Sequence, residues 1–360
     1  MSPQPRSDLP LLGLMLGDAT GIGPEQCARV LSDGRLEDAA RLLVIGDGRV
    51  LAQGARDAGV DLEVRLVRSP EEVDWQRRSI ALMDLGNIDP ATLVRGRLSA
   101  ESGRLTGETL ATMVELALAG RIDAITFAPL NKGALHAGGW RFNDEHQMFA
   151  NLTRHRGFFG EMNVLDNLWM SRVTSHVSLR TALDQITAER IDHALTLADE
   201  TMRSAGFATP RIAVAALNPH GGESGLFGRE EIEIIAPTVE RAAARGIACR
   251  GPFPSDTVFL KAFAGDFDGV LTMYHDQGQI ATKLKGFNRG VTVTAGLETV
   301  FTTPAHGTAF DIVGKGVAST GALEQAIRLA ARLAGSRRRA AGASSPSTST
   351  SGAAPHASIV

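Results

Sequence analysis

The feature that most restricts the fold is an alternation. Short apolar runs bounded by Gly, Asp, Asn or Pro recur between longer stretches with apolar residues at helical spacing. Residues 11–16, 41–45, 80–85, 124–128, 212–217, 269–273 and 291–294 read as strands. Residues 24–31, 101–119, 186–205, 229–245 and 321–333 read as helices, the first with Pro24 in its opening turn. Strand and helix in turn predict an α/β protein around a largely parallel sheet. Ligands of such sheets gather at the carboxyl ends of strands, so chemistry is sought just after each run.

Composition narrows the function classes. Of 360 residues, 43% are hydrophobic and 21% charged, which is globular and leaves ample core for two domains or one large unit. A formal net charge of −3 gives no general footing for nucleic acid or a membrane surface. No stretch reaches the roughly 18–20 apolar residues of a membrane span. The apolar run 9–16 ends in Gly17-Asp18 and reads as a buried strand rather than a signal peptide. Cys27 and Cys249 are too few for a disulfide framework or a cysteine-rich zinc site, and they fit a cytoplasmic protein. Residues 336–360 lead from three arginines into Ala, Ser, Thr, Gly and Pro, and are expected to form a disordered tail.

Three histidines stand where strands are expected to end: His176 in RVTSH, His220 in LNPHGGE and His275 in MYHDQG. Three imidazoles with an open fourth position make a catalytic metal arrangement, although spacing alone does not bring these three together. Asp276 would add an oxygen ligand or orient the neighbouring imidazole. The segment GDATGIGPE offers glycines for a tight turn and free N–H groups at a helix start. It matches neither the dinucleotide fingerprint nor a P-loop, and a structural strand-to-helix turn is the plain alternative. The loop AHGTAFDIVGKG at 305–316 admits an adenine and ribose close to its backbone, where Asp311 would suit ribose hydroxyls and repel a 2′-phosphate. Lys132, after the run 124–128, becomes a general base if partial desolvation lowers its pKa; otherwise it is a surface lysine. His146 and Gln147, in DEHQ, either bind a polar substrate or are solvated. Asp256 has the same choice, or caps the helix that follows it.

In this order, GDATGIGPE, APLNKGALHAGG, TSHVSL, LNPHGGESGLFGREE, GPFPSDTVF, YHDQGQIATKLKGF and HGTAFDIVGKG resemble the 4-hydroxythreonine-4-phosphate dehydrogenase family, over about residues 11–333. The last segment also resembles the cofactor loop of isocitrate and isopropylmalate dehydrogenases, whose fold that family shares. The resemblance implies a three-layer α/β/α architecture of two lobes with a cleft between them. Residues 1–130 with 300–335 would form the cofactor side, and 131–299 the metal, substrate and dimerisation side. It implies a homodimer with a shared active site and one divalent ion (zinc, cobalt, manganese or magnesium) on His176, His220 and His275. It also implies oxidation of a hydroxyl β to a carboxylate, followed by loss of carbon dioxide. Lys132 is then the candidate for proton transfer, with Asp256 and Asp276 supporting metal or substrate. His146, Gln147, Lys283, Thr292 and Phe301 would face the substrate. His306, Gly307, Thr308, Asp311 and Ile312 would hold the cofactor, in a form that resembles the loops preferring NAD over NADP.

The pyridoxal-pathway members of that family carry His-Thr where this chain has His146-Gln147, asparagine at Thr292 and arginine at Phe301. Arginine is a forked, permanently charged anion ligand, and phenylalanine would leave an apolar wall in its place. The expected substrate is 4-phosphohydroxy-threonine or a related phosphorylated four-carbon acid. Phe301 favours the alternative of an unphosphorylated or ring-bearing acid, such as a cis-dihydrodiol dicarboxylate. A metal-dependent hydrolase would use the same histidines to activate water, but has no need of the 306–316 loop. A non-catalytic metal-binding protein would fill the coordination shell.

Overall fold

The computed structural model describes residues 8–286 and 289–343. Its strands are β1 (Leu11–Met15), β2 (Arg41–Gly46), β3 (Val64–Val67), β4 (Ile80–Asp84), β5 (Ala124–Phe127), β6 (Gly160–Leu165), β7 (Leu168–Arg172), β8 (Ile212–Ala215), β9 (Cys249–Phe253), β10 (Gly269–Thr272), β11 (Val291–Ala295) and β12 (Val300–Pro304). They form one sheet in the order β3-β4-β2-β1-β5-β12-β11-β6-β7-β10-β8-β9. The helices are α1 (Gly23–Asp33), α2 (Gly48–Ala58), α3 (Ala100–Leu118), α4 (Lys132–Ala137), α5 (Glu145–Leu152), α6 (Leu179–Gln185), α7 (Ala188–Ser204), α8 (Ala236–Ala244), α9 (Ser255–Phe263), α10 (His275–Gly286) and α11 (Gly321–Ala343).

The α/β class is as the alternation predicts, but the sheet is parallel only in two blocks. Strands β3 to β12 of the first half run one way, and β7, β10, β8 and β9 run together in the second. Between them β11 is antiparallel to both β12 and β6, and β6 is antiparallel to β7. The two blocks therefore point in opposite directions. Their carboxyl ends lie at opposite ends of the sheet, which corrects the expectation of one common ligand edge.

Alternating side chains sort the helices into two layers. Leu12 and Leu14 of β1 share a core with α1, α2, α7, α8 and α11. Leu11 and Met15 face the other way, with α3 and α5. On that second face the far half of the sheet has its own core, where Met170 and Val270 meet α9. The central strands separate these two upper clusters. Met162, Val164, Val291 and Val293 point down into the large core, while Glu161, Asn163, Thr292 and Thr294 point up. A polar floor between two apolar clusters cannot close by packing, so it leaves a cleft.

The tail expectation fails for residues 336–343, which continue α11. Alanine and arginine favour helix. Arg337 donates to the carbonyls of Glu298 (2.7 Å) and Leu297 (2.9 Å), and Arg338 to that of Leu9 (3.0 Å). The rest of that expectation, residues 344–360, lies outside the described residues. Among the described residues no helix is long and apolar enough to cross a membrane. Both cysteines are free and buried.

Candidate active site

Register builds the floor of the cleft. Phe301, Thr294 and Glu161 form one row across β12, β11 and β6, of which only Glu161 lines the cleft, and Thr303, Thr292 and Asn163 form the next, all three lining it. Glu161 accepts a hydrogen bond from Asn163 Nδ2 (3.0 Å) and lies 3.4 Å from Arg172. Asn163 also donates to Thr292 (3.0 Å) and accepts from Arg172. Burial works against charge on Glu161, but Arg172 and His146 outweigh it and hold the carboxyl well below its ordinary pKa.

Helix α5 lies over this floor. Asp144 starts it by accepting from the Gln147 N–H (2.9 Å), an Asp N-cap. His146 then points down, buried, with Nδ1 2.6 Å from Thr294 Oγ1. Its Nε2 stands 3.6 Å from Glu161 and 3.8 Å from Glu145, and has no hydrogen-bond partner among the described residues. Burial opposes its charge, yet these carboxylates win and raise its pKa.

Two further imidazoles form the wall. His176 Nδ1 is 2.7 Å from Asp144, and His275 Nδ1 is 2.7 Å from Asp276. The rings lie 5.4 Å apart between centroids. Burial, followed by the Asp276 hydrogen bond in the opposing sense, leaves the His275 pKa lowered. Lys132 pairs with Glu145 at 2.9 Å. Burial works against its charge, but Glu145 prevails and its pKa is raised. That corrects the expectation of a lowered pKa, because a carboxylate stands beside the amine. The cavity measures about 230 Å³ and is also lined by Gln279, Lys283, Thr292, His306 and Gly307. Lys283 is exposed and has no ion pair among the described residues.

The other expected site residues fall in different places. His220 follows β8, so the three histidines leave neighbouring parallel strands, β7, β10 and β8, at the same end. Its backbone is left-handed (φ 54°), it is exposed, and its ring lies 6.4 Å from that of Phe227. A divalent ion, which the resemblance implies, fits His176 and His275: each has Nδ1 held by a carboxylate, leaving Nε2 as donor. Among the described residues, however, no three of His, Cys, Asp or Glu converge closely enough to hold an ion. Asp256 is exposed in the first turn of α9, away from the cleft lining, and makes no cap. Gln147 is exposed and does not line the cleft.

Phe301 is the clearest correction. It is 1% exposed and stacks on Phe149 of α5, with centroids 4.0 Å and planes 7° apart. The ring lies under α5 in the apolar core and offers no wall to a ligand. In the loop after β12, Thr308 is buried against Gly21, where a Cβ would meet the Thr308 Cβ at 2.9 Å. Asp311 and Ile312 sit on the short turn Phe310–Ile312 outside the cleft lining, with Asp311 exposed.

Sequence reading missed Glu161, Asn163, Arg172, Thr294 and Gln279. A signal existed: in GEMNVL, polar and apolar residues alternate at the period of a strand with one polar face.

Residues 38–330 match the family model described as pyridoxal phosphate biosynthetic protein PdxA. The chain is 48% identical to the Pseudomonas aeruginosa protein named "Putative 4-hydroxythreonine-4-phosphate dehydrogenase 2", over 90% of this chain and 97% of that one. It is 43% identical to D-threonate 4-phosphate dehydrogenase of Cupriavidus necator, over 91% and 98%. The crystal structure of a 4-hydroxythreonine-4-phosphate dehydrogenase from Burkholderia phymatum is 40% identical, with a TM-score of 0.76 over 90% of this chain and 98% of that one. These relatives are dehydrogenases, which sets the hydrolase and non-catalytic readings aside. The chain is an oxidoreductase and belongs to the pyridoxal phosphate biosynthetic protein PdxA family.

Proposed function

We propose that this chain uses NAD to oxidise the secondary hydroxyl of a phosphorylated four-carbon acid, of the 4-phosphohydroxy-threonine or D-threonate 4-phosphate kind. The resulting β-keto acid then loses carbon dioxide. One observation carries the reading. Lys283, a cation with no ion pair among the described residues, lines one cleft with the His176–His275 pair, over a floor of Glu161, Asn163 and Thr292 that His146 adjoins. The names of the three relatives described above, each a dehydrogenase of a phosphorylated acid and each at least 40% identical to this chain, support it. The unphosphorylated or ring-bearing alternative rested on Phe301, whose ring is in the core.

Each residue has a part in this chemistry. Lys283 binds the anionic end of the substrate. His146, whose Nε2 has no hydrogen-bond partner among the described residues, donates to a substrate oxygen. When bound, NAD would supply the hydride acceptor, and oxidation of the hydroxyl releases its proton. Decarboxylation takes one proton back at carbon. The two protons balance, so one relay would serve both halves, with Lys132 as its charged donor and Glu145, 2.9 Å away, as the acceptor beside it. A divalent ion held by His176, His275 and His220 would polarise the hydroxyl and stabilise negative charge on its oxygen. Asp276 and Asp144 orient two of those rings.

The same reading makes the protein a homodimer. Leu226 and Phe227 beside His220, Leu260 on α9, and Ile280 and Leu284 on α10 are exposed apolar side chains that a second copy would cover. That contact would also bring His220 and Asp256 to a shared site. Residues up to 130 with 300–335 would carry the cofactor, and 131–299 the metal and substrate. Two free, buried cysteines suit a reducing cytoplasm.

The test is NADH formation by metal-reloaded enzyme with both phosphorylated acids, their unphosphorylated counterparts and a cis-dihydrodiol dicarboxylate. Turnover of a phosphorylated acid supports the reading, and turnover of only the diol overturns it.

A further inference from the structure

The two glycine-bearing loops, after β1 and after β12, meet, and one turn of α1 makes most of the contact. Glu25, 1% exposed, accepts from the Ala318 N–H (2.9 Å) and pairs with Arg29 (3.2 Å). Arg29 donates in turn to the Gly316 carbonyl (2.9 Å). Gln26, fully buried, donates through Nε2 to the Ser319 carbonyl (2.6 Å) and lies 3.4 Å from His306 Nε2. The Ile22 N–H donates to the Thr308 carbonyl (3.1 Å). His306 Nδ1 lies 3.0 Å from the Gly307 carbonyl, so Nδ1 carries the hydrogen and Nε2 accepts from Gln26. Both feet of the loop, 306–308 and 316–319, are thus gripped by residues 22–29. The arch 309–315 stands between them, with Ala309 in the left-handed region at φ 44°.

We propose that Glu25, Gln26 and Arg29 are positioning residues for the dinucleotide. They set the shape of the 306–319 arch, and through it the affinity for NAD, without touching the reacting atoms. The inference rests on the reading of that arch as the cofactor loop. Removing the Glu25 carboxylate frees the Ala318 N–H and the Arg29 guanidinium together, so the second foot loosens. The floor of Glu161, Asn163 and Thr292 belongs to other strands and keeps its geometry. A group that acts only by holding the cofactor loop therefore changes NAD binding and spares turnover at saturating NAD.

Full-length variants are titrated with NADH by fluorescence and assayed at varied NAD. Glu25→Ala is expected to raise the NADH Kd and the NAD KM about tenfold, with kcat changed by less than about twofold. Glu25→Gln keeps an acceptor for Ala318 and is expected to recover most of that loss. Arg29→Met alters a partly exposed side chain, is expected to raise Kd about threefold, and covers the case in which Glu25→Ala does not fold. Deuterium exchange of the wild type with and without NADH tests the loop separately. Protection at 306–319 with unchanged Kd in every folded variant overturns the inference and leaves the cofactor-loop reading standing. A fall in kcat with Kd unchanged does the same. NADH that binds without protecting 306–319 overturns both.

Discussion

Replacing Phe301 by alanine distinguishes a core ring from a substrate-facing one. The ring is 1% exposed and stacked 4.0 Å from Phe149, which meets Phe127 edge-on at 5.6 Å. Truncating a fully buried phenylalanine costs about 3–5 kcal/mol through lost transfer energy and the cavity left behind. Part of that is the aromatic pair itself, worth about 0.5–1.5 kcal/mol. The expected loss is about 4 kcal/mol. With a urea slope of about 3 kcal/mol per molar, the unfolding midpoint falls by about 1.3 M. In buffer where the variant stays folded, its KM for the acid changes by less than about threefold, since the ring does not line the cleft. Phe301→Arg places an unpaired charge in the same stack and gains no affinity for phosphorylated substrates. A Phe301→Ala midpoint within about 0.3 M of wild type, with KM raised tenfold or more, would show that the ring faces the substrate and refute this reasoning.

Other outcomes follow from single residues. Lys283→Ala removes an exposed cation from the cleft, so KM for a phosphorylated acid rises about ten- to hundredfold while the urea midpoint is unchanged; equal KM would count against an anion subsite. Asp144→Asn keeps the helix cap but loses the carboxylate on His176, so metal affinity by calorimetry falls about 10–100-fold; an unchanged affinity removes the orienting role. Asp47 caps α2 by accepting from Arg49 N–H (2.9 Å) and also accepts from the buried Ile88 N–H (3.0 Å). Asp47→Ala therefore costs about 2–3 kcal/mol, a lost cap plus an orphaned amide. Burial opposes the Asp47 charge, but Arg49 and the two amides lower its pKa. The carboxylate's stabilisation is thus full above its unfolded pKa of about 4 and is lost as pH falls through the depressed folded value. The gap between wild type and variant in urea unfolding should narrow towards pH 2, and a constant gap from pH 7 down would contradict it.

What the sequence made legible was what local pattern controls. The runs at 11–16, 124–128 and 269–273 became β1, β5 and β10 because both faces of these strands are apolar. Strands β6 and β7 escaped notice because one face of each meets the cleft and interrupts the apolar run with Glu161, Asn163 and Arg172. Strand β12 carries threonines and a terminal proline for the same kind of reason. Periodicity also carries no information on strand direction, so the reversal at β11 and β6 was invisible. Individual motifs supplied His146, His176, His275 and Lys283, which line or adjoin one cleft. Whether Phe301 faced a ligand depended on which helix covers it, and only the packing of α5 settles that.

The most direct measurement of the central claim is the ratio of carbon dioxide to NADH. Enzyme stripped with a chelator and reloaded with a divalent ion is given NAD and each phosphorylated four-carbon acid, and both products are followed together. The account predicts one carbon dioxide per NADH with at least one of these acids, and neither product before the ion is restored. NADH without carbon dioxide, full turnover in the chelator, or no NADH from any of the phosphorylated acids would contradict it.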